Sequence, residues 1–476
     1  MESDIIIIGG GAAGLMAAYG AAQELSGNGD PGKVTVLEKM PRPGRKIMLT
    51  GKGRCNFTNV KDWEAFSAHI RAGRSAVRHS FFSLSPEKMV GFINSFGTET
   101  VVERGDRAFP ASYHASDIVD TLVRACTKAG AEIITGSETV SVSIDENGKT
   151  FSVEDSRGRI YRCRKLIIAT GGLSYPATGS TGDGYAFAGS FGHRTVGTFP
   201  SLTALVPAGY KVTEKPSIGM IAAKALDGYG GFVGKNDHPD LPEGYPETKG
   251  HINRNLPLSS LGETLCGLHL KNVGLTVIEN GTAVETVTGD VDFTDGGLEG
   301  PAGFQVSRRC VKALVNGAKI SLVLDMKPGV PAGELENRVR GLWEGIRNDR
   351  RSERMSFTNR YNVLLGKLLP REAIRAFRIM NRNAEDMIQL CKALKGWKFD
   401  IAGYVGYERC VVTAGGVDTA GIIPKTMESR LCKGLYLCGE VLDIDADTGG
   451  YNLQMAFCTG LLAGRSAANS LISSRT

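Results

Sequence analysis

The stretch "DIIIIGGGAAGLMAA" at Asp4–Ala18 decides the fold. Four consecutive isoleucines read as an apolar strand, Asp4–Ile8. They run into Gly9-x-Gly11-x-x-Gly14, and an Ala-rich helix continues to about Leu25. A second strand, "KVTVLEK", ends at Glu38. Strand, glycine turn, helix, strand and terminal acid make a βαβ unit. Its first glycine permits the tight turn, its second lets a pyrophosphate approach the helix N-terminus, and its third lets helix and strand pack closely. A carboxylate at the end of the second strand accepts hydrogen bonds from ribose hydroxyls. Glu38 lies 24 residues after Gly14, a little beyond the usual spacing, and the polar loop "SGNGDPG" accounts for the excess. Completeness of the unit favours a bound dinucleotide over a merely structural glycine turn; which dinucleotide, this stretch leaves open.

The chain of 476 residues is long enough for two or three domains. Its 42% hydrophobic and 22% charged residues fit a globular protein, and 62 glycines point to many tight turns and close backbone approaches. No apolar run reaches the length of a membrane helix, and the N-terminus carries no secretory pattern. Ten cysteines without a CxxC, mostly in apolar contexts, read as reduced thiols of a cytoplasmic protein. The net charge of +6 is mild and shows no basic stripe interleaved with aromatics, so nucleic acid is not favoured. The dense group "RNDRRSER" at Arg347–Arg354 also carries acids and reads as a solvated helix face.

The expected fold class is α/β: a Rossmann-like domain interrupted by a β-rich insertion and a small helical domain. Residues 1–198 and 405–476 form the discontinuous nucleotide domain. Residues 199–333 and 396–404 form the β-rich insertion, and residues 334–395 the helical domain. Within the insertion, Tyr210–Leu261 is long, polar and rich in Gly and Pro, and is expected to be a mobile cover near a substrate entrance or a plain surface loop.

Several segments carry candidate chemistry. "PRPGRKIMLTGKGRCNFTN" at Pro41–Asn59 is too polar for a core and reads as a cofactor loop, with Arg45, Lys46 and Arg54 facing anionic atoms. Arg54, always charged, is the candidate for orienting a carbonyl. Cys55 is read as a small packed residue rather than a redox thiol, since no second cysteine lies near it in sequence. His114 is either a proton donor or a surface residue before a helix cap at Ser116. Tyr451 is either a proton donor or packing. "KGLYLCGE" reads as a strand ending at Gly439-Glu440, and Gly449-Gly450 as the start of a helix whose N–H groups are free. "DIDAD" at Asp443–Asp447 lacks the Gly and Glu of a calcium loop, and no metal is expected.

Together these segments resemble the two-dinucleotide-binding-domain flavoproteins. More narrowly, "GRKIMLTGKGRCNFTN", "FPAS", "VTAGGV", "TMESR" and "GLYLCGEVLDIDADTGGYNLQMAF" resemble the BaiN-type bacterial flavoproteins. That family includes a bile-acid dehydrosteroid reductase and proteins described as aminoacetone oxidases. The resemblance covers nearly the whole chain and implies non-covalent FAD and a Rossmann-like FAD-binding domain interrupted by an inserted β-barrel-like domain and a small helical domain. It implies that Gly9, Gly11, Ala12, Ala13 and Gly14 meet the pyrophosphate and Glu38 the adenosine ribose. Lys39, Lys46, Thr50, Gly51, Gly53, Arg54, Cys55 and Asn56 would line the cofactor, and Val140 would touch adenine through its backbone. Ala169, Thr170, Gly171 and Gly172 would close over the ADP part. Gly439, Glu440, Asp443, Gly450, Tyr451, Asn452 and Leu453 would lie along the ribityl chain and the ring. Tyr210–Leu261 is longer than expected of compact members. The implied activity is hydride addition from reduced flavin to a conjugated C=C of an apolar oxo-substrate such as a 3-oxo bile acid or steroid. NADH or NADPH would be a transient donor, for no second fingerprint is visible. The alternatives are an aminoacetone or amine oxidase using oxygen, and an RNA-associated flavoprotein.

Overall fold

A computed structural model of the chain describes residues 1–29, 32–212, 248–382 and 386–474. Most of Tyr210–Leu261, the expected cover, therefore lies outside the described residues. What is described of it is stitched at both ends: Val212 N–H donates to Pro257 O at 2.9 Å, and Lys211 Nζ donates to Arg254 O and Leu256 O at 2.7 and 2.9 Å. The described residues fall into two compact units, one from residues 1–200 and 411–474, the other from residues between 201 and 410.

In the first unit the isoleucine run forms β1 (Glu2–Ile8), followed by α1 (Ala12–Gly27) and β2 (Val34–Glu38). Further along lie β3 (Glu132–Thr135), β4 (Thr139–Ile144), β5 (Phe151–Asp155), β6 (Ile160–Ile168) and β7 (Leu435–Leu437). They form one sheet in the spatial order β7-β6-β1-β2-β3, with parallel pairing throughout that run. β5 adds antiparallel to β6, and β4 to β5. The register sets Ile8 beside Ile168 and Leu37, and Ile168 beside Leu437. The carboxyl ends of four strands thus finish in one row. Chain order reverses direction at β1, which has β2 on one side and β6 on the other. That is the position at which open parallel sheets bind ligands.

The last helix, α2 (Tyr451–Ile472), packs along α1. Two glycines one turn apart make this possible. A Cβ on Gly460 would stand 2.1 Å from Ala13 O, and one on Gly464 would stand 2.0 Å from Ala17 O. Only hydrogen at both sites lets the two backbones approach so closely.

The second unit holds a closed six-stranded antiparallel barrel. Its strands follow one another around the barrel as Leu205–Pro207, Gly297–Glu299, Thr282–Thr294, His269–Glu279, Ile320–Asp325 and Trp397–Tyr404. Alternate residues such as Leu275, Val277, Phe293, Leu322, Leu324 and Phe399 are buried, as closure of a small barrel demands. The helices Gly300–Val315, Ala332–Asn348, Phe357–Leu368, Ala373–Met380 and Met387–Lys395 belong to the same unit.

Candidate active site

The turn after β1 assigns separate tasks to the fingerprint glycines. Gly9 has φ +102°, and a Cβ there would meet Ala169 O at 2.6 Å. Gly14 lies so close to β1 that a Cβ would stand 1.8 Å from Gly9 O. Gly11 is different: it caps α1 with φ −81°, and a Cβ there would meet nothing within 4 Å. Two of the glycines are needed by the fold, and the third borders open space. No side chain caps α1 and no acid lies in its first turn, so the N–H groups of Ala12 and Ala13 keep their positive end for an anion. Glu38 ends β2 beside them. Its Oε2 accepts from Gly10 N–H and its Oε1 from Met40 N–H, both at 2.7 Å. Burial raises its pKa, and those two N–H groups pull against the rise.

The cofactor loop folds onto the same edge. Lys46 Nζ pairs with Glu440 Oε2 and donates to Ser174 Oγ at 2.8 Å. Glu440 Oε1 accepts from Ser174 Oγ at 2.8 Å and Thr413 N–H at 2.9 Å. Thr413 Oγ1 accepts in turn from Leu173 and Ser174 N–H. Lys39 Nζ reaches Asp183 Oδ2 at 2.6 Å and Thr181 Oγ1. Arg45 is exposed, and Thr50, Gly51 and Gly53 lie in the turn that follows, Gly53 with open space above its Cα. Val140 stands on β4, close in chain to the Ser137 N–H that donates to Glu38 O at 3.0 Å. Ala169–Gly172 leave the end of β6, and Gly439-Glu440 follow β7.

Cys55 is buried with 0% exposure and its thiol is pushed up to about 12 by burial, against a weaker hydrogen bond from Thr50. At neutral pH it carries almost no thiolate, so the thiol is packed and inert. Beside it, Asn56 Oδ1 is buried without a partner among the described residues. The same oxygen would stand 2.9 Å from a Cβ on Gly450. Gly450 caps α2 with φ +93°, its would-be Cβ 2.6 Å from the Thr58 carbonyl, and no side chain caps the helix. A second uncapped helix N-terminus thus stands beside an acceptor that lacks a donor. Asn452 holds the preceding turn by accepting from Ala446 N–H and donating to Ala446 O, both at 2.9 Å, while Leu453 is half-buried. Asp443 is half-buried, its N–H on Val417 O at 2.9 Å.

The three candidate catalytic residues fall into two groups. The Arg54 guanidinium lies over the rings of Phe109 and Tyr113, 5.1 and 5.9 Å from their centroids, and Tyr113 donates to Glu103 at 3.0 Å. His114 follows Tyr113, is exposed and itself occupies the cap of the helix Ala115–Lys128, a place the sequence reading gave to Ser116. Tyr451 is buried at the start of α2, with His69 stacked on its ring at 4.3 Å and Lys61 Nζ donating to its hydroxyl at 3.1 Å. Burial raises its pKa, and Lys61 lowers it. His69 and Arg71 both bind Asp447, at 3.0 Å and at 2.6 and 2.9 Å. Sequence reading missed Ser174, Thr413, Lys61, His69 and Arg71. Each lies far in sequence from its partner, and no local motif marks it.

The residues present suit a dinucleotide, with room for phosphate oxygens at the helix ends and an acceptor in Asn56 Oδ1 for a ligand donor. Two uncapped helix ends, open space at Gly11 and the unpartnered Asn56 Oδ1 all call for ligand atoms.

The HI0933-like protein Rossmann domain matches residues 3–466. The chain belongs to this family. The 3-dehydro-bile acid delta(4,6)-reductase of Clostridium scindens is 28% identical over 97% of this chain and 98% of its own. The ribosomal RNA dihydrouridine synthase of Escherichia coli is 29% identical over 95% of each. Among solved structures, the 3-ketosteroid delta1-dehydrogenase of Sterolibacterium denitrificans aligns with a TM-score of 0.48 and 12% identity, covering 98% of this chain and 100% of that one. Among the described residues, no helix is long and apolar enough to cross a membrane.

Proposed function

We propose that the protein reduces a C=C bond conjugated with a carbonyl group. One observation carries the reading: the relatives named as acting on a dehydro-bile acid and on ribosomal uridine share this pattern. A 4,6-dehydro-3-oxo steroid has C4=C5 next to the ketone and C6=C7 conjugated through it, and uracil has C5=C6 next to C4=O. FAD, when bound, would supply the hydride that adds to the β-carbon, with NADH or NADPH as transient donor.

The chain's own residues take the remaining tasks. Gly11, Ala12 and Ala13 would hold the pyrophosphate at the start of α1, and Glu38 the adenosine ribose. The start of α2 would face the electron-rich end of the ring, where its positive dipole end stabilises added negative charge. Asn56 Oδ1 would accept a ring N–H. The Lys46–Ser174–Glu440 group would hold the ribityl side. Arg54 would orient the substrate carbonyl and stabilise the enolate oxygen, leaving its place over two rings to do so. Tyr451, kept protonated by burial, would hold a proton for the α-carbon. His114, exposed at a helix start, is the alternative proton source.

The substrate favoured is an oxo-steroid or 3-oxo bile acid. An amine oxidase using oxygen is the alternative from the flavoprotein resemblance. The test is anaerobic reduction with NADH or NADPH, then reoxidation in parallel by a 4,6-dehydro-3-oxo steroid, unmodified ribosomal RNA, or oxygen with aminoacetone. Fast reoxidation by either conjugated substrate supports the reading. Turnover of aminoacetone with oxygen alone would sink it.

A further inference from the structure

Between residues 332 and 395 the chain has fourteen basic residues, eleven of them arginines, and eight acidic ones. That surplus of six equals the surplus of the whole chain, which has 56 basic and 50 acidic residues. The other residues therefore balance, and the positive charge belongs to this helical segment. Ten of its eleven arginines are exposed, and among the described residues only Arg338 is ion-paired, with Glu334. An arginine surplus left unpaired in water contributes little to the fold, but it is what a polyanion needs.

Part of this arginine run adjoins in the chain one exposed aromatic, Phe357, which has half-buried Trp343 and buried Tyr361 packed against it. Phe357, 51% exposed at the start of its helix, packs edge-on to Trp343 with centroids 5.5 Å apart, and stacks on Tyr361 at 6.1 Å and 11°. Arg360 folds the preceding turn onto this helix, donating to Ser352 O at 2.9 Å and Glu353 O at 3.1 Å. That turn carries Arg350, Arg351 and Arg354, with Arg347 just before it. Asp349 is turned back on the Arg351 N–H at 2.9 Å, and Glu344 and Glu353 are the other acids nearby in the chain. The linear sequence shows no interleaved stripe because Trp343 and Phe357 flank the arginines at a distance and meet only in the fold.

We propose that this segment docks single-stranded RNA, with arginine forks on successive phosphates and an unpaired base stacked on Phe357. Guanidinium forks match phosphate oxygens, and an exposed ring accepts any base face. Docking here does not depend on the reductive reading, since none of these residues has a place in the cofactor site.

The test uses the FAD-loaded full chain and a labelled oligouridylate, with duplex RNA and polyglutamate as comparisons. Binding should weaken steeply with salt. The triple variant Arg347→Glu, Arg350→Glu, Arg351→Glu should lose roughly a hundredfold in affinity with flavin content and melting temperature unchanged. The milder Arg350→Gln, Arg351→Gln pair should lower the salt slope by about one to two. Phe357→Ala should cost about tenfold for single-stranded RNA and little for duplex. Wild-type binding that survives the triple change, or no wild-type binding near physiological salt, overturns the proposal. Equal affinity for polyglutamate overturns RNA as the occupant. None of these outcomes bears on reoxidation by a conjugated substrate, so the two readings fail separately.

Discussion

At the residue scale, the three fingerprint glycines separate cleanly by what a methyl group would meet. Gly11→Ala or Gly11→Val places carbon in open space, at a φ any residue adopts, so the apoprotein should melt within ~0.5 kcal/mol of wild type. FAD affinity should fall roughly a hundredfold or more, because that space is where the pyrophosphate is expected. Gly14→Ala drives carbon into the Gly9 carbonyl and should cost about 3 kcal/mol or more with or without cofactor. Equal melting of both variants would refute the division. Cys55 gives an independent check. With its thiol pushed up to about 12, it should resist alkylation at pH 8 in the native protein, and Cys55→Ser should keep FAD and most turnover. A Cys55→Ser protein with bound FAD and no turnover would restore a chemical role. The bland reading of this thiol was legible from sequence, for it needed only the lack of a nearby partner cysteine. The Glu440 cluster was not, since Lys46, Ser174 and Glu440 follow three separate strands of one sheet and Thr413 lies on a strand of another, so they meet only in the fold.

At the element scale, the βαβ unit was legible because everything that makes it lies within forty residues and obeys local rules of periodicity and turn chemistry. The close packing of α1 on α2 is a long-range fact, carried by Gly460 and Gly464 at the far end of the chain. Their spacing looks like an ordinary small-residue helix until α1 lies against it. Gly464→Val should force the helices apart and cost about 3 kcal/mol or more. Because both helices present an N-terminus to the proposed cofactor, it should also speed flavin release, read by fluorescence on dilution. The turn between β5 and β6 supplies a pH-dependent prediction. Burial alone would raise the Asp155 carboxyl, but the Arg159 guanidinium, the Arg159 and Arg157 N–H groups and Ser137 hold it at about 2. A carboxylate depressed in the fold stabilises at pH values above its ordinary value near ~3.9, and that contribution is lost as pH falls toward about 2. Asp155→Asn should therefore lower the melting temperature at pH 7 and converge on wild type near pH 2. A difference that persists undiminished in acid would assign the loss to packing instead.

At the scale of the whole molecule, among the described residues buried apolar side chains surround the parallel sheet in one unit and fill the closed barrel in the other. Each unit has its own reason to fold, and the proposed cofactor contacts all belong to the first. Its five fingerprint positions, Glu38, the 46–56 loop and the start of α2 lie within residues 1–200 and 411–474. A ligand that binds only the folded state stabilises what it binds by RT ln(1 + [L]/Kd), about 2.7 kcal/mol at a hundredfold excess over Kd. Scanning calorimetry should resolve two transitions, and added FAD should raise the one belonging to the sheet unit. The assignment can be made without ligand, since Leu275→Ala in the barrel should lower the other transition by about 2–5 kcal/mol and leave the first in place. If FAD moves the transition that Leu275→Ala lowers, and not its partner, the cofactor site has been built from the wrong residues.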